Sequence, residues 1–180
     1  MIDVVAVEEF TKGRLHRDAP ETRRQLDVAL ATLRHYCGWH VLPVVDTTLV
    51  MDGPGGKLLT LPTLNLRQVD WVVEDGVAVD PGDITWAANG RVAKRSGAKW
   101  CSGMSGITVS FRHGYDSLPD VETVLLTWID RGGLAQEQLG TGGVKVVGPF
   151  QYDTATKVVT TVFSEVERGI IDCYRLEKPA

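Results

Sequence analysis

Ile107-Thr108-Val109-Ser110-Phe111-Arg112-His113-Gly114-Tyr115-Asp116-Ser117-Leu118-Pro119-Asp120-Val121 is the stretch of this 180-residue chain in which two periodicities meet. Through Ile107–His113 apolar and polar residues alternate, which is the period of a strand with one buried face. Beyond Leu118 the period changes. Val121, Val124, Leu125, Trp128 and Ile129 share one stripe of a helix, with Pro119 in its first turn and Asp120 and Glu122 at its positive end. Gly132-Gly133 is expected to end that helix. A half-buried strand feeding an amphipathic helix sets the class as α+β.

Upstream, Pro20 to Cys37 reads as the partner helix, with Asp18 available as cap, Gly38 as stop and Leu26, Ala29, Leu30, Leu33 and Cys37 on one face. A short helix over about Val7–Lys12 precedes it. The expected fold is a helical core of two main antiparallel helices plus short N-terminal and C-terminal helices, with an inserted small antiparallel β-sheet and projecting hairpins. That β-region occupies 39–115. Thr47–Met51 and Lys57–Leu61 flank Asp52-Gly53-Pro54-Gly55-Gly56 and read as one hairpin; Arg67–Glu74 with Val77–Val79, and Ile84–Trp86 with Gly90–Ala93, read as two more. Downstream of a core spanning 1–133, residues 134–143 read as a flexible connection and 144–180 as an arm. The arm carries strand-like runs at Val144–Tyr152 and Lys157–Phe163. A last helix follows, with a Ser164/Glu167 capping box and a Val166, Ile170, Tyr174 stripe. At about three turns, that helix must lean on another surface.

Composition excludes several classes. Apolar residues make up 43% and charged residues 23%, a globular balance, and no apolar run is long enough for a membrane span. The net charge of -4 is not that of a nucleic-acid binder, so tight phosphate binding is not expected. Asp3, Glu8 and Glu9 stand where a secretory signal would be basic, so synthesis for the cytoplasm is expected, with Cys37, Cys101 and Cys173 outside any disulfide framework. His35, Cys37 and His40 are close in sequence, but a structural zinc needs a fourth ligand and a second pair that the sequence does not supply. Asp116 near His113 has no nucleophile to serve. Asp52–Gly56 lacks phosphate-loop spacing. The cations Lys94, Arg95 and Lys99 beside Trp100 form a local basic-aromatic cluster and are the DNA-facing candidates, although solvated loop charge is the commoner meaning of such a group. Trp71, Trp86 and Trp128 read as core. No catalytic residue, metal ligand or cofactor is expected.

Four segments, taken in order, resemble a known family: Arg34-His35-Tyr36-Cys37-Gly38-Trp39, Leu58-Leu59-Thr60-Leu61-Pro62, Ile84-Thr85-Trp86 before Asn89-Gly90-Arg91, and the strand-Gly114-Tyr115-Asp116-Ser117-Leu118-Pro119-helix junction. They look like the head-tail connector, or adaptor, proteins of long-tailed bacteriophages, the gp6-like connector family, over roughly Val7–Arg131. The resemblance implies a non-enzymatic virion protein of the neck, assembled in the host cytoplasm. It further implies a ring of about twelve copies beneath the portal, followed by a stopper or tail-completion protein, with double-stranded DNA passing through without sequence specificity. Phe163, Val166, Ile170, Tyr174 and Arg175 are then the portal-docking candidates. Leu49, Met51, Leu59 and Leu61, on the first hairpin, are the candidates for contact with a neighbouring subunit or the next neck protein. Another neck component, such as a stopper, tail terminator or tail-completion protein, is the first alternative, and a phage-encoded enzyme the second.

Overall fold

The alternation of Ile107–His113 is realised as a strand whose Ile107, Val109 and Phe111 are fully buried. The computed structural model of the chain describes residues 2–140, 145–147, 150–152 and 163–177. Its elements, in chain order, are α1 (Val4–Phe10), α2 (Pro20–Cys37), β1 (Val45–Met51), β2 (Leu58–Thr60), β3 (Leu66–Glu74), β4 (Val77–Ala78), β5 (Ile84–Trp86), β6 (Arg91–Lys94), β7 (Ile107–His113), α3 (Pro119–Gly140), β8 (Lys145–Val147), β9 (Phe150–Tyr152) and α4 (Glu165–Ile171). They fall into two compact units. A helical unit comprises Met1–Thr32 with Pro119–Cys173, and a β unit comprises Leu33–Leu118 with Tyr174–Ala180.

In the β unit, β7 is the inner strand of an antiparallel sheet ordered β1-β7-β3-β4, and a second sheet is ordered β2-β6-β5. β1 lies along β7 in unbroken register from Val45↔His113 to Met51↔Ile107. On the other side of β7, β3 shifts register twice, at Leu66/Gln68 and at Val69/Trp71. The buried faces of both sheets meet in a core of Leu59, Leu61, Val72, Ile84, Val92 and Trp100 with the three apolar side chains of β7. Removing each such side chain from water contributes about 1.5–3 kcal/mol, which makes this cluster the main support of the unit.

Two expected hairpins are present. β3 turns into β4 through Asp75 and Gly76, both at positive φ (47° and 81°), and β5 pairs with β6 from Ile84↔Lys94 to Trp86↔Val92. The expected hairpin of Thr47–Met51 with Lys57–Leu61 does not form: β1 pairs with β7, and β2 pairs with β6. The cause is the intervening loop, which is zipped to residues 100–105 instead of capping a ribbon. Gly53 N donates to Gly103 O (2.9 Å), Gly55 N to Cys101 O (2.7 Å), Trp100 N to Gly56 O (2.8 Å) and Ser105 N to the Asp52 carboxylate (2.7 Å). Such close approach needs a residue without Cβ, and a side chain at Gly53 would run into the carbonyl of Cys101.

In the helical unit, α2 has its expected bounds and buries Leu26 and Ala29 here, while α3 buries Val121, Val124, Leu125 and Ile129, the stripe read from the sequence. α3 does not stop at Gly132-Gly133 but continues to Gly140. A helical glycine costs only about 1 kcal/mol, so a pair of them does not compel an end. Residues 134–140, expected as a flexible connection, are therefore helical; 141–143 lie outside the described residues, as do Val144 and 157–162 of the expected strands. β8 and β9 pair as a ribbon from Lys145↔Tyr152 to Val147↔Phe150. α1 begins three residues earlier than expected because Asp3 caps it, accepting from Ala6 N at 2.9 Å. Both α1 and α4 pack against α3.

α4 carries the expected capping box but is rotated relative to the expected stripe: Phe163, Glu167 and Ile171 are buried, while Val166 is 77% exposed. The rotation follows from Arg131, whose guanidinium holds the Glu167 carboxylate at 3.0 Å, while Ser164 N donates to the same oxygen at 2.7 Å. Burial alone would raise the Glu167 pKa, but the hydrogen bonds from Arg131 and Ser164 hold it below the usual carboxylate range.

The zipped loop gives a test. Gly53→Ala should destabilise the protein by about 1–3 kcal/mol through overpacking against backbone. Gly76→Ala, at positive φ but with open space around it, should cost about 1 kcal/mol. Urea unfolding of the two variants checks the order.

Candidate functional site

The β unit brings together residues that are far apart in the sequence. Arg34, at the last turn of α2, donates to His40 Nδ1 at 2.6 Å, and His40 Nε2 donates to Pro43 O at 2.6 Å. A guanidinium can only donate, so His40 Nδ1 is the acceptor and the ring is neutral. The His113 ring, on β7, lies 6.0 Å from the His40 ring, 4.8 Å from Phe111 and 6.1 Å from Trp39. Its Nε2 is 3.1 Å from Thr47 Oγ1 on β1, and its buried Nδ1 has no partner among the described residues. Burial first, and then the proximity of His40, with which it would share positive charge, and of Arg34 lower the His113 pKa to about 4; burial and Arg34 likewise lower that of His40. These groups and the inward side chains of β1 border an open depression of about 390 Å³.

The same corner receives the C-terminal segment. Trp39 Nε1 donates to Tyr174 O at 2.6 Å, Leu176 N donates to Cys37 O at 2.9 Å, and the Tyr115 and Tyr174 rings meet edge to face at 5.8 Å. The Arg175 guanidinium lies 5.3 Å over the Tyr36 ring.

On the opposite face of the larger sheet, Arg112 grips Asp46 through two nitrogens (2.7 and 3.1 Å). That hydrogen bond holds the Asp46 carboxyl below the ordinary range and raises Arg112. Trp71, expected in the core, is 42% exposed, and so is Trp86 on β5 at 41%. Trp128 is half-buried on α3, its ring 6.2 Å from Phe163.

The residues singled out from the sequence are distributed as follows. Phe163 is buried, Val166 exposed, Ile170 and Tyr174 half-buried, and Arg175 exposed over Tyr36. Leu49 and Met51 are half-buried against the β core, but Leu59 and Leu61 lie inside it and offer no surface to a neighbour. Lys94 is not a surface cation: its Nζ pairs with Glu74 at 2.5 Å and sits 4.7 Å over the buried Trp100 ring. Arg95 and Lys99 are exposed. The basic-aromatic cluster is thus divided, because Lys94 ends β6 and is held by Glu74 and Trp100, whereas Arg95 and Lys99 lie in the loop beyond the strand. Asp116 pairs with Arg67 at 2.8 Å, not with His113, and no group of three potential metal ligands occurs among the described residues. None of the three cysteines is in a disulfide.

No protein-family model and no curated protein matches the chain. Solved structures do. A chain in the neck of a native gene transfer agent (GTA) particle, computed with C12 symmetry, superposes with a TM-score of 0.61 at 14% identity, over 100% of this chain and 94% of that one. The fold is shared with particle necks. A chain in the neck of the empty particle, computed with C6 symmetry, gives 0.57 at 13% identity over 99% and 91%, and a chain in the native virion gives 0.57 at 16% identity over 100% and 94%.

The depressed His113 pKa has a consequence for stability. Between about pH 4 and 6.5 the unfolded chain binds a proton at this position that the folded chain does not, so stability falls as pH drops through that window and is flat above it. The loss should approach about 3 kcal/mol by pH 4. Urea midpoints from pH 7.5 to 4.5 should fall for the natural protein and fall less steeply for His113→Gln.

Proposed function

We propose that the chain is a head-to-tail connector, or adaptor, subunit of a virion neck: one copy of a non-enzymatic ring of about twelve, seated beneath the portal and followed by a stopper or tail-completion protein. The observation that carries this reading is the end-to-end superposition on chains of a particle neck computed with twelve-fold symmetry, in which neither chain leaves a large part unmatched. The resemblance of the strand–Gly114-Tyr115–Leu118-Pro119–helix junction to the connector family points the same way from the sequence.

The chemistry of the chain suits such a part. A ring subunit acts by shape and contact, and it needs stiff elements with exposed docking faces. Val166 and Ile170 on α4 are the portal-docking surface in this reading, held out from α3 by the buried Phe163 and the Arg131–Glu167 pair. Of the DNA-facing candidates read from the sequence, Arg95 and Lys99 are the two exposed ones left to meet passing DNA. A net charge of -4 leaves that contact weak, so DNA slides instead of being held.

The test is assembly. The purified protein mixed with its cognate portal should form rings of about twelve copies by native mass spectrometry and electron microscopy. Val166→Asp, at an exposed position, should leave the thermal unfolding midpoint within about 2 °C and reduce portal co-purification at least tenfold. Absence of any ring, with or without portal, would overturn the reading.

A further inference from the structure

β1 is an edge strand with none of the usual protection. All seven of its residues pair with β7 without a register shift, it contains no proline, lysine or bulge, and its single charge, Asp46, is tied to Arg112. Along its outer side no backbone N–H or C=O has a backbone partner among the described residues. Beside that side Val50 is 57% exposed. The far edge of the same sheet is blunted, since β3 is twice shifted in register and β4 is two residues long. A flat, unbulged edge is a template for another strand.

The chain also contains a strand pair in need of a sheet. β8 and β9, Lys145-Val146-Val147 and Phe150-Gln151-Tyr152, pair only with each other among the described residues. A ribbon of two three-residue strands is marginal in water by itself. In a cyclic ring each copy must present two different surfaces, one to the neighbour on either side. An open edge and an unaccommodated ribbon are such a pair. Their charges are compatible as well, because β1 carries only Asp46 and the ribbon only Lys145.

The geometry points to strand addition between copies: the β8–β9 ribbon of one copy extends the larger sheet of the next at β1. This rests on the ring reading above and names the contact that closes the ring. Main-chain hydrogen bonds supply the affinity, and the exposed Val50 offers apolar surface beside the added strand.

The test uses assembled full-length protein in a Cys173→Ser background. One population carries Thr48→Cys, and a second carries a cysteine at one position of β8 or β9, scanned in turn. Oxidation of mixed rings should give a chain-to-chain disulfide for at least one position, since cross-strand Cβ atoms lie about 5 Å apart. Hydrogen exchange should show the amides of β1 slowed at least tenfold in the ring relative to the monomer. A variant with 144–153 replaced by a Gly-Ser linker should keep the monomer's unfolding midpoint and lose that slowing. Rings that form normally but give no cross-link, or a monomer-sized product only when both cysteines are on one chain, would overturn the inference while leaving the ring reading intact. A cross-link from Thr48→Cys to portal would assign the edge to that partner and overturn it too. Failure of the natural protein to form rings would overturn the ring reading, and this inference with it.

Discussion

β7 carries the constraint on which the β unit depends. It is hydrogen-bonded along both edges, and its inward residues Ile107, Val109 and Phe111 are inaccessible to water. Because the side-chain period of a strand is two, sliding either neighbour by one residue would turn Leu49 and Met51, or Val69 and Val72, away from the core and bring their polar neighbours in. β1 obeys this without interruption. β3 obeys it with two bulges, which bend the strand and leave Trp71 on the outer face opposite Ser110. The second sheet then covers the apolar face, and Trp100, from the loop between β6 and β7, is the largest buried side chain of the core between them.

The parts of this fold that were legible in the sequence are those written in local periodicity. α2, β7 and the starts of α3 and α4 stand where caps, prolines and apolar spacing put them, and the β3–β4 and β5–β6 turns stand where Asp75-Gly76 and Asn89-Gly90 mark them. The failures are non-local. Asp52–Gly56 has the composition of a hairpin tip, yet its glycines serve close approach to a strand of chain fifty residues on, and nothing near them in sequence says so. Glu167 reads from the sequence only as the capping-box partner of Ser164, and nothing near it announces that Arg131, on another helix, pairs with it and lets it be buried, so that Glu167 and Ile171 face inward in place of Val166. Lys94 was misread for the same reason, its partner being Glu74.

The candidate site was legible only in pieces. His40 and His113 each attract notice in the sequence, one beside Cys37 and the other beside Asp116, but in the structure Asp116 pairs with Arg67, the two imidazole rings lie 6.0 Å apart, and Arg34 bonds the His40 ring. An arginine beside two imidazoles, with no carboxylate among them, favours neutral rings and describes a structural corner better than an acid–base apparatus. The half-exposed Trp71 and Trp86 are the other surprise: a strand's outer face is where a large aromatic is accommodated when a partner is to cover it, and composition alone does not reveal which face that is.

The stitch of Tyr174 and Leu176 onto Trp39 and Cys37 joins residues more than 130 positions apart in the chain. Contacts of such separation form late, because the entropy of closing the loop must be met before they return anything. Residues 174–176 are also synthesised after every strand they close. Until they dock, the backbone of Cys37 and the indole of Trp39 lack these bonds. The β unit of a chain still being made is therefore unfinished, and the molecule has a built-in order in time: its strands first, its latch last.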